Sequence, residues 1–302
     1  MKTLKSIFLG IPYSDEEITS LLENYQRGRL NISFLKDHGD IEKVYFVYSL
    51  NEWTDDEGDF PEIELIYDED RLEYRGTVDF GSSPSVCFRF RIHEGNGVIR
   101  WEDRNKKNWF VNTSVKINFE RISNIERKCA ELISEGKIIA WFQGGSEFGP
   151  RALGHRSILA DPRDPDMKDK LNRYIKHREE FRPFAPSVLK EYQSEYFELS
   201  DDSPYMLLTS LVHEEKRSLI PAVVHVDGTA RLQTVSRDFE QRFYDLIREF
   251  YSITGIPMVL NTSFNDADEP IVESPFDALC TFLNTGIDNL AMHDYLISKN
   301  YD

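Results

Sequence analysis

The sequence predicts an α+β protein of two domains, an antiparallel β-sandwich followed by a twisted α/β domain. Three observations predict it. Between Ile41 and Val111, short apolar-alternating segments are separated by clusters of Gly, Asp, Asn and Pro, the pattern of antiparallel strands. From Ile125 onward, amphipathic segments of helical period alternate with short continuous apolar runs, as when helices cover a buried sheet. Between them, residues 112–124 are polar and read as a linker. At 302 residues the chain has length for one large or two ordinary domains. The boundaries are a helical lead-in over 1–40, the sandwich over 41–115 and the α/β domain over 125–302.

Ser14-Asp-Glu-Glu17 reads as a capping box opening a helix with Ile18, Leu21, Leu22 and Tyr25 on one face, stopped near Gly28. Strands follow at Val44–Tyr48, Glu62–Ile66, Leu72–Val78, Val86–Ile92 and Trp109–Val111. Two loops carry tryptophan, Trp53 in one and Trp101 and Trp109 bounding the other. Large flat rings beside amides and charges are the combination that stacks on a sugar ring while bonding its hydroxyls, although tryptophan is also often simply buried.

The stretch from Val86 through Trp101-Glu-Asp-Arg104 to Asn108-Trp109 resembles immunoglobulin-like starch- and glycogen-binding modules. There, a Trp-Asp-Asn-Asn run leads to Asn-Tyr after a phenylalanine-rich strand. The resemblance implies an immunoglobulin-like sandwich acting as a carbohydrate-binding module, with Trp53, Trp101 and Trp109 as its sugar-binding residues. Asp103 and Arg104 replace two of the asparagines.

In the second half, Ile125 to Glu135 reads as a helix closed by Gly136, and Lys137-Ile-Ile-Ala-Trp-Phe142 as a buried strand. Helices are predicted at Met167–Lys176 and Phe239–Ser252, and a buried strand at Ile256–Leu260. Between these lie four unusual segments. Gly144-Gly-Ser-Glu-Phe-Gly-Pro-Arg-Ala-Leu-Gly-His-Arg-Ser-Ile-Leu-Ala-Asp-Pro-Arg163 sets glycines where backbone amides can approach a ligand, beside Arg151, Arg156 and Arg163. Asn172-Arg-Tyr-Ile-Lys-His-Arg-Glu-Glu-Phe-Arg-Pro-Phe-Ala-Pro-Ser187 interleaves Phe181, Phe184 and Ala185 with Lys176, Arg178 and Arg182. Part of it must be buried, and a buried cation needs an anion. His225-Val-Asp-Gly-Thr-Ala-Arg231 turns at Asp227-Gly228 to place Arg231 at a strand start, with His225 read as a core histidine. Leu260-Asn-Thr-Ser-Phe-Asn265 alternates Asn261, Ser263 and Asn265 on one strand face, able to bond a ribose, a phosphate or a carbamoyl amide.

In this order and spacing, from about Ile125 to Ile297, the four segments closely resemble the C-terminal domain of the O-carbamoyltransferases that decorate antibiotics and nodulation factors. The resemblance implies a YrdC/Sua5-like twisted α/β domain that binds ATP, with its magnesium ion, and carbamoyl phosphate to make carbamoyl adenylate. It implies that Arg151, Lys176, Arg182 and Arg231 hold the phosphates, with Lys176 and Arg182 as catalytic residues. Asn261 and Ser263 are implied to hold the nucleotide or the carbamoyl group. Two positions depart from the family pattern: Asp268 stands where a glycine is usual, and Gly145 where an arginine is. Full carbamoyltransferases also have a preceding Kae1-like domain with metal-holding histidines, and the residues before Ile125 are too few for that fold. The expectation is that the sandwich substitutes for the missing half, the protein either transferring to a glycan itself or supplying carbamoyl adenylate to a separate Kae1-like partner chain.

Cys87, Cys129 and Cys280 are well separated, which suits small buried hydrophobes in a reducing compartment and implies no protein-bound transition metal. Met1 to Gly10 has two lysines before an apolar run too short for a signal peptide or a membrane span, so a cytoplasmic protein without membrane contact is expected. A net charge of -17 argues against nucleic-acid partners, and against tRNA modification in particular. Much of the acid lies before Asp79, leaving the later arginines free to form a local positive pocket. The expected function is ATP- and carbamoyl-phosphate-dependent carbamoyl transfer, or carbamoyl-adenylate formation, for a sugar-containing acceptor. The alternative is a non-catalytic regulatory protein that binds a nucleotide or a glycan.

Overall fold

The computed structural model describes residues 8–9, 12–35, 40–50, 60–102, 109–267 and 269–300. In order the elements are β1 (Phe8–Leu9), α1 (Asp15–Gln26), β2 (Arg29–Leu35), β3 (Ile41–Ser49), β4 (Glu62–Asp68), β5 (Glu73–Asp79), β6 (Ser85–Glu94), β7 (Ile99–Glu102), β8 (Trp109–Asn112) and β9 (Lys116–Arg121). Then come α2 (Ile125–Ser134), β10 (Ile139–Phe142), β11 (Ser146–Glu147), β12 (Arg156–Ala160), α3 (Met167–Tyr174), β13 (Ala185–Leu189), α4 (Gln193–Tyr196), β14 (Thr209–Leu211), β15 (Thr229–Arg231) and β16 (Gln233–Val235). The chain ends with α5 (Gln241–Thr254), β17 (Met258–Ser263), α6 (Pro275–Asn284), β18 (Asn289–Met292) and β19 (Tyr295–Asn300). They fall into two units: Tyr13–Asn118 with Ser274–Asn284 and Lys299–Asp302, and Met1–Pro12 with Phe119–Glu273 and Thr285–Ser298.

In the first unit the capping box closes as the sequence predicts, the Ser14 amide donating to Glu17 at 2.8 Å and the Glu17 amide to the Ser14 hydroxyl at 3.3 Å. Ile18, Leu21, Leu22 and Tyr25 form the buried face of α1. The helix and β2 belong with the strands rather than to a separate lead-in. The strands form one seven-stranded sheet in the order β2-β5-β4-β3-β6-β7, with β8 also paired to β6.

The pairings are antiparallel, as expected. β4 joins what would have been two sheets: its residues up to Leu65 pair with β3, and Ile66 to Asp68 pair with β5. The sheet then curls over its own apolar face. Phe34 on β2 and Phe90 on β6 would be about 19 Å apart in a flat sheet, yet their ring centroids are 4.6 Å apart. Helix α6, from the far end of the sequence, closes this core with Phe276 against Phe88. Asn284 at its end accepts from the Asn112 amide at 2.8 Å and donates to the Phe110 carbonyl.

The second unit is built on an eight-stranded mixed sheet in the order β16-β13-β17-β12-β10-β18-β19-β9. β10 runs parallel to β18 and β13 to β16, while the β10-β12-β17-β13 pairings are antiparallel. All four residues of β10 and all five of β12 and of β13 are buried, Arg156, Ser157 and Ser187 among them, as in strands covered on both faces. Helices α2 and α5 are tied by Arg127 to Glu249 at 3.0 Å and by Arg242 to Glu126 at 2.6 Å. Residues 112–124, expected as a linker, contain β9 and the buried Ile117, so they are part of the fold.

Candidate active site

Four loops of the second unit bring the unusual segments to one place. The glycine-rich loop after β11 is shaped from within by Glu147, whose carboxylate accepts from the amides of Leu153, His155 and Arg156 at 2.8, 2.8 and 3.1 Å. His155 braces the turn before it, with Nδ1 at 2.7 Å from the Gly145 carbonyl and Nε2 at 2.5 Å from the Glu240 carboxylate. Gly154 has φ +115°, and a Cβ there would lie 2.3 Å from the Phe243 ring, so only glycine fits.

Of the three arginines in this motif, one faces outward to a ligand site. Arg156 is buried over the Phe142 ring at 3.6 Å, and its guanidinium donates to the carbonyls of Gln143, Gly144 and Glu273. Arg163 forms a forked pair with Asp161 and also donates to the Ser134 carbonyl. Arg151 instead lines a cavity of about 190 Å³ together with Arg178, Arg182, Arg231, Asn261 and Ser263.

Among the described residues no carboxylate lines that cavity; Phe184, Ala185 and Met206 form its apolar wall. Burial and the neighbouring Arg151 charge hold the Arg231 guanidinium below its ordinary pKa. Burial and Arg182 bring Arg178 down to about 10. The Nε atoms of Arg151 and Arg231 are buried without a hydrogen-bond partner. Arg178 is oriented by Asn172, whose side-chain oxygen accepts from its Nε at 2.8 Å, and by the Phe184 ring 4.8 Å beneath it. Asn172 also donates to the carbonyls of Glu180 and Arg182, fixing the loop that carries both arginines. Four like charges brought together with buried, unmet donors can be stabilised by a polyanion.

Lys176 does not line the cavity. Its ammonium donates to the Ser263 carbonyl at 2.5 Å, the Asn265 carbonyl at 2.9 Å and the Asn265 side-chain oxygen at 2.8 Å, which accounts for all three N–H groups. It shapes the turn after β17, where the Asn265 side-chain oxygen also accepts from the Ser263 hydroxyl at 2.7 Å. Burial, with Arg178 adding repulsion, lowers its pKa to about 7. His225 rests against the Thr229 hydroxyl at 3.1 Å, and desolvation holds its pKa below the ordinary value. Arg178 was within reach of sequence reasoning, because it shares a segment with Lys176 and Arg182. Gln233 and Ser187, which hold Asn261 in place, gave no such signal.

The family model for the carbamoyltransferase C-terminus matches residues 130–299, across every one of these loops. The chain belongs to the carbamoyltransferase family. Nodulation protein NolNO of Sinorhizobium fredii is 53% identical over 61% of this chain and 27% of its own length. NolO of Bradyrhizobium diazoefficiens is 48% identical over 61% of this chain and 34% of its own. The chain thus spans about a quarter to a third of the length of these curated relatives. HypF of T. kodakarensis aligns at a TM-score of 0.38 with 16% identity, over 61% of this chain and 23% of that one, which is too distant to carry an argument.

The tryptophans of this carbamoyltransferase relative do not make one platform. Trp53, like Asp103, Arg104 and Asn108, lies outside the described residues. Trp101 is paired across the sheet with Arg91, and Trp109 with Phe88. Residues directly opposite share a face and successive residues alternate, so Trp101 and Trp109 lie on opposite faces. Trp101, 41% exposed, is covered by the Arg89 guanidinium 4.0 Å from its ring. Trp109 stacks on Phe88 at 6.5 Å toward the core. An open cleft of about 650 Å³ in the same unit is lined by Glu16, Glu17, Asp68 and Arg75, of which Arg75 pairs with Glu17 and Asp68.

Proposed function

We propose that the arginine cavity makes carbamoyl adenylate from ATP and carbamoyl phosphate, and that a separate Kae1-like chain passes the carbamoyl group to a sugar-containing acceptor. The observation that carries the reading is the convergence of Arg151, Arg178, Arg182 and Arg231 on a cavity without a carboxylate, within a carbamoyltransferase sequence. Water cleaves the bond that joins the carbamoyl group to the phosphate of carbamoyl phosphate, giving carbamate and inorganic phosphate. A carbamate oxygen then bonds to the α-phosphorus of ATP, and the bond from that phosphorus to the bridging oxygen breaks to release pyrophosphate. Negative charge builds on the phosphate oxygens, and preorganised guanidinium groups in a half-buried site stabilise it without needing to reorient.

Magnesium fits as a companion of the nucleotide, spreading charge over its phosphates. Among the described residues no group of three or more His, Cys, Asp or Glu is arranged to hold a metal. The volume also matters. A cavity of about 190 Å³ is below the roughly 300–1,000 Å³ that encloses a drug-sized ligand, so it suits the reacting phosphate and carbamoyl groups, with the nucleoside toward solvent.

The test is incubation with ATP, carbamoyl phosphate and magnesium while pyrophosphate is followed. Release that requires carbamoyl phosphate supports adenylation. ATP binding with no release under any condition would turn the reading to the regulatory alternative.

A further inference from the structure

Helix α3 ends in a turn that carries the chain to Arg178, and the turn passes through a residue of uncommon backbone conformation. His177 has φ +41°, in the left-handed region that a residue with a Cβ rarely adopts and where a helix end usually has glycine. The turn is closed by the Lys176 amide on the Leu171 carbonyl at 2.9 Å and the Arg178 amide on the Asn172 carbonyl at 3.2 Å. Glycine would make the same turn without strain. The His177 side chain instead has a partner that offsets the strain: its Nδ1 lies 2.7 Å from the Asp266 carboxylate, in the turn after β17. A carboxylate can only accept, so the imidazole donates. Asp266 is itself held in place. The same carboxylate oxygen accepts from the Ala267 amide at 2.5 Å, and the Asp266 amide donates to the Glu269 carboxylate at 3.2 Å.

This contact joins two segments that both supply cavity wall, the loop of Arg178 and Arg182 and the strand of Asn261 and Ser263. Lys176 also joins them, through Ser263 and Asn265, but it comes before the left-handed residue and so does not set the direction in which the chain continues. His177 sets it. Rotating its φ into the ordinary negative range would swing Arg178, the next residue, and the bond to Asp266 opposes that rotation. Arg182 has an anchor of its own, its carbonyl accepting from the Asn172 side chain at 3.1 Å. We infer that His177 and Asp266 are positioning residues for Arg178, a clasp that holds its guanidinium at the cavity before a ligand arrives. This rests on the proposed binding of ATP phosphates there. Neither His177 nor Asp266 lines the cavity, so their effect on a ligand passes through Arg178, which loses less freedom on meeting phosphate because it is already held.

The experiment is calorimetry with ATP and magnesium on the full chain, alongside urea unfolding of each variant. His177→Gly is expected to bind ATP about 3- to 10-fold more weakly, the effect of one arginine that must be ordered on binding. It should unfold at nearly the wild-type urea concentration, because relief of backbone strain offsets the lost bond. Asp266→Ala should show the same loss of affinity, and Asp266→Asn, which keeps an oxygen acceptor for the imidazole, should restore binding to near the wild-type value. Added to Arg178→Ala, Asp266→Ala should cause no further loss. Undiminished ATP affinity in His177→Gly, or an equal loss from Asp266→Ala with and without Arg178, overturns the clasp and leaves the arginine site standing. A wild-type protein that does not bind ATP overturns the anion site and the clasp with it.

Discussion

Arg231 titrates below an ordinary arginine because it is half-buried and Arg151 stands beside it. Neither guanidinium forms an ion pair among the described residues, and the Nε atom of each is buried without a partner. The pair is therefore mutually repulsive until an anion arrives. Arg231→Ala should weaken ATP binding by about 2 kcal/mol, the scale of one charge-assisted contact to phosphate. The same change should leave the ligand-free protein as stable as the wild type or slightly more so. Calorimetry paired with urea unfolding checks both, and a large loss of stability with unchanged ATP affinity would move Arg231 from the site to the scaffold.

Lys176 should behave in the opposite way. Removing it leaves the Ser263 and Asn265 carbonyls without their donor and the Asn265 side-chain oxygen with the Ser263 hydroxyl alone, so Lys176→Met should cost stability by about 2–4 kcal/mol and affect ligand binding only through Ser263. Its pKa of about 7 in the folded protein lies below the roughly 10.4 of a free lysine. Between those values the unfolded chain binds the extra proton, so stability rises with pH across that window, and burial of the charge is most costly below pH 7. The stability difference between wild type and Lys176→Met should therefore grow from pH 7 toward pH 10, by up to about 1.4 kcal/mol per unit. A difference that stays flat in urea titrations at pH 7, 8 and 9 would show that the three oxygen acceptors keep the ammonium charged throughout.

The contrast between Arg231 and Lys176 marks what the sequence could and could not convey. Local rules were legible: the Ser14–Glu17 cap, the period of α1 and of α2, and the alternation along β6. So was the motif order that brings Arg151, Arg182, Arg231 and Asn261 to one cavity. What a cation meets across the fold was not. Arg156 and Lys176 sit in motifs as ligand-like as that of Arg151, yet each gives its charged end to backbone carbonyls of the fold. The single curled sheet was also hidden, because strand alternation gives the faces of each strand but not the order in which strands pair. The same gap misplaced the tryptophans, whose faces depend on register with β6.

Gly154 offers a sharper test of the glycine-rich loop. At φ +115°, with Phe243 where a Cβ would go, Gly154→Ala adds backbone strain to a clash with a buried ring, and should destabilise by about 3 kcal/mol or more. Gly136→Ala has a comparable positive φ but open space around it, so it should cost only about 1 kcal/mol. Equal effects in thermal unfolding would mean that the loop moves away from Phe243 at little cost.

Trp101 and Trp109 should separate cleanly by stability. Trp109→Ala removes a ring stacked on Phe88 and should cost about 2–3 kcal/mol, whereas Trp101→Ala, at an exposed position under Arg89, should cost about 1 kcal/mol or less. Because the two rings lie on opposite faces, no glucan should quench both together. Fluorescence quenching by a glucan that is abolished equally by either substitution would contradict the register of β7 and β8 with β6.

The boundary between the halves supplies the last prediction. A fragment beginning at Phe119 holds all of the carbamoyltransferase match, and by sequence it should fold alone. Helix α6 argues otherwise: it is counted with the first unit, where Phe276 meets Phe88 and Asn284 bonds the backbone of β8 on both sides. Cut away from that sheet, α6 would expose an apolar face and leave the Asn112 amide and Phe110 carbonyl without their partner. Such a fragment should aggregate or bind a hydrophobic dye, while the full chain should not. Asn284→Ala in the full chain isolates the polar part of the same contact and should cost about 1 kcal/mol or more, since a side chain that bonds both a backbone donor and an acceptor leaves two groups unmet when removed. A soluble, monomeric fragment with cooperative unfolding would show that α6 can repack on the second unit, and that the exchange of this helix is not needed for the α/β unit to stand.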